Sequence, residues 1–205
     1  MTEHYYSENP QCEKKFFNIR KRVNNIDLDL ITAKGVYSPL QLDRGSLFHI
    51  KVIKIKSKDK VLDLGCGYGT VGILLAKMYK DINLYMTDIN QRAIECLKEN
   101  LKRNKVNAVI HQGDGFENIP DKDFDTIIFN PPIHAGLKVC YKLFAEAFEH
   151  LKEGGTLQVV LRPKIGGKRL LKKIEEIFGN VEKVGKEGIY AAFIAIKRKN
   201  NTENL

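Results

Sequence analysis

The feature that most constrains the fold of this chain is a regular alternation of short apolar runs with amphipathic segments, which begins near residue 60. Five of the apolar runs have the length and composition of buried strands: KVLDLG, NLYMTD, NAVIHQGD, FDTIIFN and GTLQVVLRP. Strands that alternate with helices form parallel sheets through right-handed crossovers. Two further runs, NVEKVG and GIYAAFIAIKR, lie too close together for a crossover and predict an antiparallel hairpin. The sequence thus predicts a Rossmann-like, doubly wound α/β fold with a seven-stranded sheet, mostly parallel, whose last strand is antiparallel.

Boundary signals predict where individual helices begin and end. Asn90 has the short polar side chain of an N-cap and precedes an amphipathic segment. A helix that begins near Leu137 is expected to end at Glu153-Gly154-Gly155, because glycine commonly follows the last helical residue. The polar segment before residue 40 is expected to be irregular, apart from a short helix in EKKFFNIRKRV.

Composition narrows the class of protein. The chain has 205 residues, of which 43% are hydrophobic and 29% charged, as expected for a single soluble domain. No apolar run approaches the roughly 18 residues that span a bilayer, and the N-terminal segment lacks the apolar core of a signal peptide. We therefore expect a cytoplasmic protein without a membrane partner. The four scattered cysteines form no C-x-x-C pair, which indicates reduced thiols and no metal site.

The positive charge of the chain is unevenly distributed. The net charge is +9, and residues 162–199 alone carry 11 lysines and arginines against four glutamates. A second basic run, residues 14–22, also contains two phenylalanines. Such an excess is typical of a surface that binds nucleic acid, although a solvated lysine-rich surface would look the same. Four basic residues after the fifth strand are the candidates for contact with a phosphate backbone: Arg162, Lys164, Lys168 and Arg169.

Acidic residues and glycines end the first three strands of the alternation: Asp63 with the loop Gly65-Cys66-Gly67, then Asp88, then Asp114-Gly115-Phe116. In doubly wound sheets ligands bind at the carboxyl ends of the strands. Asp88 could accept hydrogen bonds from both hydroxyls of a ribose, and Asp114 with the ring of Phe116 could hold an adenine. Asp63 would repel a pyrophosphate and favours a ligand that carries an ammonium group. The pattern predicts an adenosine ligand and disfavours a nicotinamide-dependent oxidoreductase, which would prefer G-x-G-x-x-G.

The fourth strand ends in Asn130-Pro131-Pro132, more than a strand terminator requires. Proline donates no hydrogen bond to a sheet but keeps its carbonyl acceptor. The Asn130 side-chain oxygen and the Pro131 carbonyl could accept the two hydrogens of an exocyclic amine, which would localise the nitrogen lone pair. Two consecutive prolines would also fix the loop before the reaction begins. The stretch therefore predicts an amine-acceptor site that needs no metal ion.

The strand ends VLDLGCGYG, TDIN, GDGF and FNPP together resemble those of the class I S-adenosylmethionine-dependent methyltransferases. NPPIHAG, with the upstream stretch GVYSPLQLDRGS, resembles the ribosomal RNA guanine-N2 methyltransferases of the RsmC/RlmG type, and among them the single-domain relatives. The resemblance implies S-adenosyl-L-methionine as cofactor and guanine N2 in ribosomal RNA as methyl acceptor. It also implies RNA, as ribosomal RNA or a ribosomal subunit, as partner.

Site residues follow from the resemblance position by position. The expected cofactor contacts are Asp63, Gly65, Cys66, Gly67, Asp88, Ile89, Asp114, Gly115, Phe116 and Asn130. The expected catalytic residues are Asn130, Pro131 and Pro132, and the expected substrate contacts are Ile133 and His134 together with the four basic residues already named. Ile133 stands where the family usually has an aromatic residue, so the identity of the target base stays open.

The resemblance also divides the chain. It implies a methyltransferase domain over residues 41–198, an extension over residues 1–40 that packs on or near the cofactor site, and a frayed tail over residues 199–205. Two alternatives remain. One is an amino methyltransferase that acts on protein glutamine or adenine N6. The other is a non-enzymatic RNA-binding protein that retains the cofactor fold. The sequence leaves the oligomeric state undetermined.

Overall fold

A computed structural model describes residues 6–198 of the chain, and the tail expected over residues 199–205 lies outside them. The strands are β1 (Phe16–Val23), β2 (Ile26–Ala33), β3 (Lys60–Leu64), β4 (Asn83–Asp88), β5 (Val109–Gln112), β6 (Phe124–Phe129), β7 (Leu151–Leu161), β8 (Glu182–Glu187) and β9 (Tyr190–Ile196). The helices are α1 (Arg44–Val52), α2 (Thr70–Met78), α3 (Gln91–Asn104), α4 (Leu137–His150) and α5 (Lys168–Phe178). Within the described residues, no helix is long and apolar enough to cross a membrane.

The strands β3 to β9 form one seven-stranded sheet in the order β5-β4-β3-β6-β7-β9-β8. β5, β4, β3, β6 and β7 are parallel to one another, whereas β9 lies between β7 and β8 and is antiparallel to both. The prediction of a mostly parallel sheet with an antiparallel last strand is confirmed. The strand order reverses at β3, so a cleft opens at the carboxyl ends of β3 and β6, where such sheets bind ligands.

Apolar layers cover both faces of this sheet. On one face α2, α3 and the β1–β2 hairpin enclose a core that includes Leu30, Ile73 and Leu97. On the other face α4 and α5 pack over the inner strands, with Phe144 and Ile174 among the buried residues. Burial on both faces explains why the inner strands read as continuous apolar runs in the sequence.

The prediction of a short helix in EKKFFNIRKRV is wrong, because most of this segment forms β1. β1 pairs with β2 in an antiparallel hairpin whose turn is Asn24-Asn25. Both turn residues have positive φ, 49° and 62°, as two-residue hairpin turns require, and asparagine tolerates this conformation better than most residues. Ile19 is buried on the core side of the hairpin, whereas Phe16 on the opposite side is 46% exposed. This alternation has the period of a strand.

The C-terminal boundary predicted for the fourth helix is also wrong. α4 ends at His150 and the chain passes directly into β7 at Leu151, so Gly154 and Gly155 lie within the strand. A Cβ atom on Gly155 would lie 2.8 Å from the carbonyl oxygen of Phe124, so no larger side chain fits there without a shift. The pairing of β6 with β7 changes register at this point. The two glycines therefore form part of a β-bulge rather than the end of the helix, and glycine is common in both settings.

Two asparagines on α3 hold the free edge of β2. The Asn100 side chain accepts from the N–H of Ile31 at 2.6 Å and donates to the carbonyl oxygens of Ile31 and Tyr68 at 2.8 Å. Asn104 repeats the arrangement at Asp29, with hydrogen bonds of 3.3 and 2.8 Å to the backbone. The two side chains lie four residues apart on one face of α3. Their amides form hydrogen bonds with the backbone of β2 of the kind that a neighbouring strand would form, and these bonds attach the hairpin to the domain.

Replacing Asn100 with alanine is expected to lower the free energy of unfolding by about 3 kcal/mol, because three buried backbone groups lose their hydrogen-bond partners. Asn100 is completely buried, so water cannot replace the lost amide without rearrangement. Urea denaturation of the variant measures the effect. Replacement of the exposed Lys102 on the same helix by alanine is the matched control and should change stability by less than about 0.5 kcal/mol. Equal midpoints for the two variants would contradict the role given to Asn100.

Candidate active site

One cleft runs along the carboxyl ends of β3, β4, β6 and β7. At one end it is lined by the Gly65-Cys66-Gly67 loop, Asp63, Asp88 and Ile89. At the other end it is lined by Asn130, Pro131, Pro132 and Ile133 with residues of the loop after β7. The sheet topology therefore brings together residues as far apart in the chain as Asp63 and Ile165, as the parallel alternation predicts.

The loop between β3 and α2 is fixed by the carboxylate of Asp88. Gly67 has φ of 57°, which disfavours other residues, and its N–H donates to Asp88 Oδ2 at 2.7 Å. The N–H of Asn90 donates to Asp88 Oδ1 at 2.9 Å, and the Asn90 side chain caps α3 as predicted. Burial raises the pKa of Asp88, and its backbone hydrogen bonds oppose that shift. Each oxygen retains lone-pair capacity for a ligand hydroxyl.

Asp63 places a second carboxylate beneath the same loop. The side chain is 4% exposed, and its Oδ2 accepts from the N–H of Gly72 at 2.9 Å. Burial raises the pKa of Asp63 to about 7, and the negative charge of Asp88 contributes to the rise. The hydrogen bond from Gly72 lowers the pKa and partly opposes this shift. A buried carboxyl in this state becomes a strong site for a cationic ligand, because a positive charge would restore the ionised form.

The end of the cleft that contains the Asn130-Pro131-Pro132 loop is organised around the side chain of Asn130. Its amide nitrogen donates to Asp43 Oδ2 at 3.4 Å, an arrangement that directs the side-chain oxygen away from Asp43. Asp43 is itself fixed, because it caps α1 through the N–H of Ser46 at 2.7 Å and accepts from the Tyr37 hydroxyl at 2.9 Å. The Pro131 carbonyl accepts from the N–H of Ile133 at 2.9 Å and keeps a second lone pair.

Apolar and basic side chains line the same end of the cleft. Ile133 lies in a 3₁₀ turn with His134. Its side chain packs close to Gly166, where an added Cβ atom would lie 3.3 Å from Ile133 Cγ2. Ile165 of the same loop lines the cleft and is 48% exposed. The guanidinium of Arg162 lies 5.8 Å from the ring centroid of Tyr190, and both residues also line the cleft. A flat ligand at this end would contact isoleucines and a basic group.

Several predicted site residues do not line the cleft. Phe116 is 5% exposed, and its ring stacks on His150 at a centroid distance of 4.3 Å, so it contributes to the core. The carboxylate of Asp114 accepts from the Tyr6 hydroxyl at 2.9 Å and from Lys142 at 3.1 Å, although the neighbouring Gly115 does line the cleft. Lys164, Lys168 and Arg169 are exposed beside the cleft rather than in it.

The structure also adds residues that the sequence pattern does not identify as part of the site. Asp43, Tyr6, His49 and Tyr190 line the cleft, although they belong to the N-terminal segment, α1 and β9 rather than to the strand ends. His49 is 2% exposed, and burial lowers its pKa to about 3, so its imidazole is neutral. Among residues 6–198 no cluster of three metal-ligating side chains occurs.

This sheet order, with an antiparallel β9 and a cleft at the carboxyl ends of the parallel strands, is that of the class I methyltransferase fold. The family model of the methyltransferase small domain matches residues 27–193. The chain therefore belongs to the methyltransferase small domain family, and the resemblance noted in its strand ends is confirmed. The match begins within β2, so the β1–β2 hairpin lies partly inside the family domain.

Two relatives align with most of this chain. The chain is 38% identical over 193 residues to the uncharacterized protein YbxB of Bacillus subtilis, which covers 93% of this chain and 96% of that protein. It is 32% identical over 182 residues to ribosomal RNA small subunit methyltransferase C of Haemophilus influenzae, 87% of this chain but 55% of that protein. The chain thus spans about half the length of the ribosomal RNA methyltransferases that it matches.

A solved structure shares most of the fold. It is the 16S rRNA N2 G1207 methyltransferase RsmC of T. thermophilus, in complex with AdoMet and guanosine. The TM-score is 0.80 at 26% sequence identity, and the aligned region covers 89% of this chain and 51% of that one. A methyltransferase from Pyrococcus furiosus, with a TM-score of 0.63 at 22% identity, shares the fold.

Proposed function

We propose that this chain transfers a methyl group from S-adenosyl-L-methionine to the exocyclic N2 amine of a guanine in ribosomal RNA. The observation that carries the proposal is the Asn130 amide, directed by Asp43 at the acceptor end of a cleft whose other end holds Asp63 and Asp88. The resemblance to a guanine-N2 methyltransferase that binds AdoMet and guanosine supports this choice. The proposed substrate also implies a cytoplasmic location and RNA, free or within a ribosomal subunit, as partner.

The residues of the cleft fit this cofactor. Asp88, held by two backbone N–H groups, would accept the hydroxyls of the ribose. Asp63, buried beneath the glycine loop, would attract the ammonium of the methionine part. Gly65, Cys66, Gly67, Ile89 and Gly115 offer backbone and small side chains along the same cleft. When bound, the cofactor supplies a methyl group on a positively charged sulfur, which is already activated for transfer.

Asn130 and Pro131 would act on the acceptor amine. The side-chain oxygen of Asn130 and the remaining lone pair of the Pro131 carbonyl would each accept one amine hydrogen. The nitrogen lone pair would then be directed at the methyl group instead of being delocalised into the ring. Transfer would form a bond between this nitrogen and the methyl carbon while the bond from that carbon to sulfur breaks, and the surplus proton on nitrogen would leave to water. The rate gain arises from positioning and fixed dipoles, which need no strong base.

The base would reach this site only after it leaves its stack, as in other enzymes that modify bases. Ile133 and Ile165 would provide apolar contact, and Arg162 would present a donor towards the base or its phosphate. Lys164, Lys168 and Arg169 extend the positive surface outside the cleft and are suited to RNA phosphates. His134 is exposed next to Ile133, where it would contact nucleotides at the rim.

The direct test is transfer of labelled methyl from S-adenosyl-L-methionine, followed by nucleoside analysis. The acceptors are ribosomal RNA, assembled small subunits, DNA and total protein, each offered separately. We expect label in N2-methylguanosine from RNA or subunits. Label in methyladenosine or in protein glutamine would overturn the proposed acceptor while keeping the cofactor. Cofactor binding without transfer to any of these substrates would favour a non-enzymatic RNA-binding protein.

The affinity for S-adenosylhomocysteine is expected to rise with pH from about 5.5 to 7 and to level off above. Because the pKa of Asp63 is raised to about 7, its carboxyl is protonated below that pH, and binding of an ammonium must expel the proton. The loss of affinity should approach roughly tenfold per pH unit on the acidic side. Calorimetry across this range, in buffers of different ionisation enthalpy, measures both affinity and proton release. The Asp63→Asn variant should bind S-adenosylhomocysteine more weakly than the wild type, and its affinity should not change with pH over this range. An equally steep profile in that variant would assign the proton to another group.

A further inference from the structure

Residues 6–12, here called the N-terminal strap, are fixed to the domain at the ribose side of the cleft. The carbonyl oxygen of Glu8 accepts from the N–H of Gln91 at 2.9 Å, in the first turn of α3. Arg92, which is 8% exposed, donates to the carbonyl oxygens of Pro10 and Cys12, both at 3.0 Å. Its other amino group donates to the carbonyl oxygen of Lys34 at 2.7 Å. A buried guanidinium that satisfies several backbone carbonyls holds the strap in one place.

Tyr6 is the residue by which the strap reaches the cleft. Its side chain lines the cleft, and its hydroxyl donates to Asp114 Oδ1 at 2.9 Å, across 108 positions of sequence. Lys142 donates to the other oxygen of Asp114 at 3.1 Å, so the acid is held between the two. Burial and the adjacent carboxylate of Asp114 raise the pKa of Tyr6, which keeps the phenol protonated as a donor. The position of the ring is thus specified from two sides, by Asp114 and by the strap.

We propose that Tyr6 forms a wall of the adenine subsite and that Asp114 is the positioning residue that holds it there. The inference rests on the proposed function, which places the adenosine at the ends of β4 and β5. Gly113, Gly115, Ile89 and Leu143 line that part of the cleft, whereas Asp114 and Phe116 do not. Tyr6 is thus the aromatic residue that the described structure brings to this part of the cleft. It offers an adenine the flat apolar surface that the sequence pattern assigned to Phe116.

The test is the affinity for S-adenosylhomocysteine, measured by calorimetry on the full chain. A base stacked on an aromatic ring loses about 1–3 kcal/mol when the ring is removed, a factor of roughly 5 to 150 in Kd. We expect Tyr6→Ala to raise Kd within this range. Tyr6→Phe keeps the ring and should raise Kd by less than about fivefold. Phe16→Ala, which removes an exposed aromatic from the same N-terminal region, is the matched control and should leave Kd unchanged.

Two further measurements separate a cofactor contact from a merely structural role. The KM for S-adenosyl-L-methionine should rise in Tyr6→Ala, while kcat and the KM for RNA stay within about twofold and the urea midpoint stays near that of Phe16→Ala. S-inosylhomocysteine, which has an oxygen in place of the adenine amino group, should lose a similar factor with Tyr6→Ala, because stacking does not depend on that group.

Two outcomes of the S-adenosylhomocysteine titration would contradict the role of Tyr6 or the proposed function. Unchanged or tighter binding by Tyr6→Ala would overturn the inference, and tighter binding would mean that Tyr6 occupies the subsite in competition with the cofactor. A wild-type chain that binds no S-adenosylhomocysteine would instead contradict the proposed function itself. Wild-type binding combined with an unaffected Tyr6→Ala variant would contradict only the role of Tyr6. The two failures are therefore distinguishable in a single titration series.

Discussion

Asn130→Ala should lower kcat for methyl transfer by about 10²–10³-fold, the loss typical of removing one preorganised polar group that acts in the transition state. The variant keeps the backbone of the acceptor loop and both prolines, so the Pro131 carbonyl stays in place. What disappears is the side-chain oxygen that would accept one amine hydrogen. The amine then keeps more of its ring conjugation and is aimed less well at the methyl group. Single-turnover transfer to the RNA substrate, with the cofactor saturating, measures the effect on the chemical step.

The controls for Asn130→Ala separate chemistry from binding. Its Kd for S-adenosylhomocysteine should stay close to that of the wild type, because the acids at the other end of the cleft are unchanged. Asn107→Ala replaces an exposed asparagine on the surface and should retain full activity. Asp43→Asn weakens the acceptor that orients the Asn130 amide, so we expect a smaller fall in kcat without a change in the KM for the cofactor. Wild-type turnover by Asn130→Ala would disprove the proposed mechanism.

The sheet and the strand-end part of the site could be predicted because both follow from local pattern. A run such as Ile127-Ile128-Phe129 is apolar because the sheet is covered on both faces, and its length and flanking residues mark it as a strand. Once the strands are parallel, their carboxyl ends meet at one edge. Asp63, Asp88 and Asn130 are therefore brought to one cleft by topology alone.

The remaining part of the site depends on contacts that leave no local signal. Asp43 reaches Asn130 across 87 positions, and nothing in the spacing of either residue indicates the other. The basic residues of EKKFFNIRKRV are good helix formers, so that segment predicts a helix, whereas the structure places β1 there. Its strand pairing depends on the Asn24-Asn25 turn and on the amides of α3. Tertiary contacts, rather than the propensity of the segment, decide the outcome there.

Phe116 illustrates a different limit of sequence reasoning. Its place beside Asp114 suggested an adenine contact, yet the ring turns into the core and stacks on His150. Sequence gives the position of a residue along a loop but not the direction of its side chain. Burial of an apolar ring against the sheet lowers the free energy of the folded state more than a position at the solvent-exposed rim of a cleft would.

Asp88 is the residue whose loss should affect cofactor binding most. It connects two parts of the site, because its carboxylate holds the N–H of Gly67 in the glycine loop and the N–H of Asn90 at the start of α3. The same oxygens are those proposed to accept the ribose hydroxyls. Its removal would therefore withdraw the ligand contacts and also release the loop that lines the methionine part of the cleft.

Asp88→Ala is expected to raise the Kd for S-adenosylhomocysteine by about 10²–10⁴-fold, since hydrogen bonds to a charged group contribute roughly 1.5–3 kcal/mol each and two would be lost. Asp88→Asn keeps one acceptor oxygen and should lose less. The matched control is Asp27→Ala, which removes an acid at the hairpin tip whose side chain is 83% exposed and should leave the affinity unchanged. Calorimetric titration of the three variants, with urea midpoints measured in parallel, compares binding with folding. If Asp88→Ala bound within threefold of the wild type, the ribose would have to be held elsewhere in the cleft.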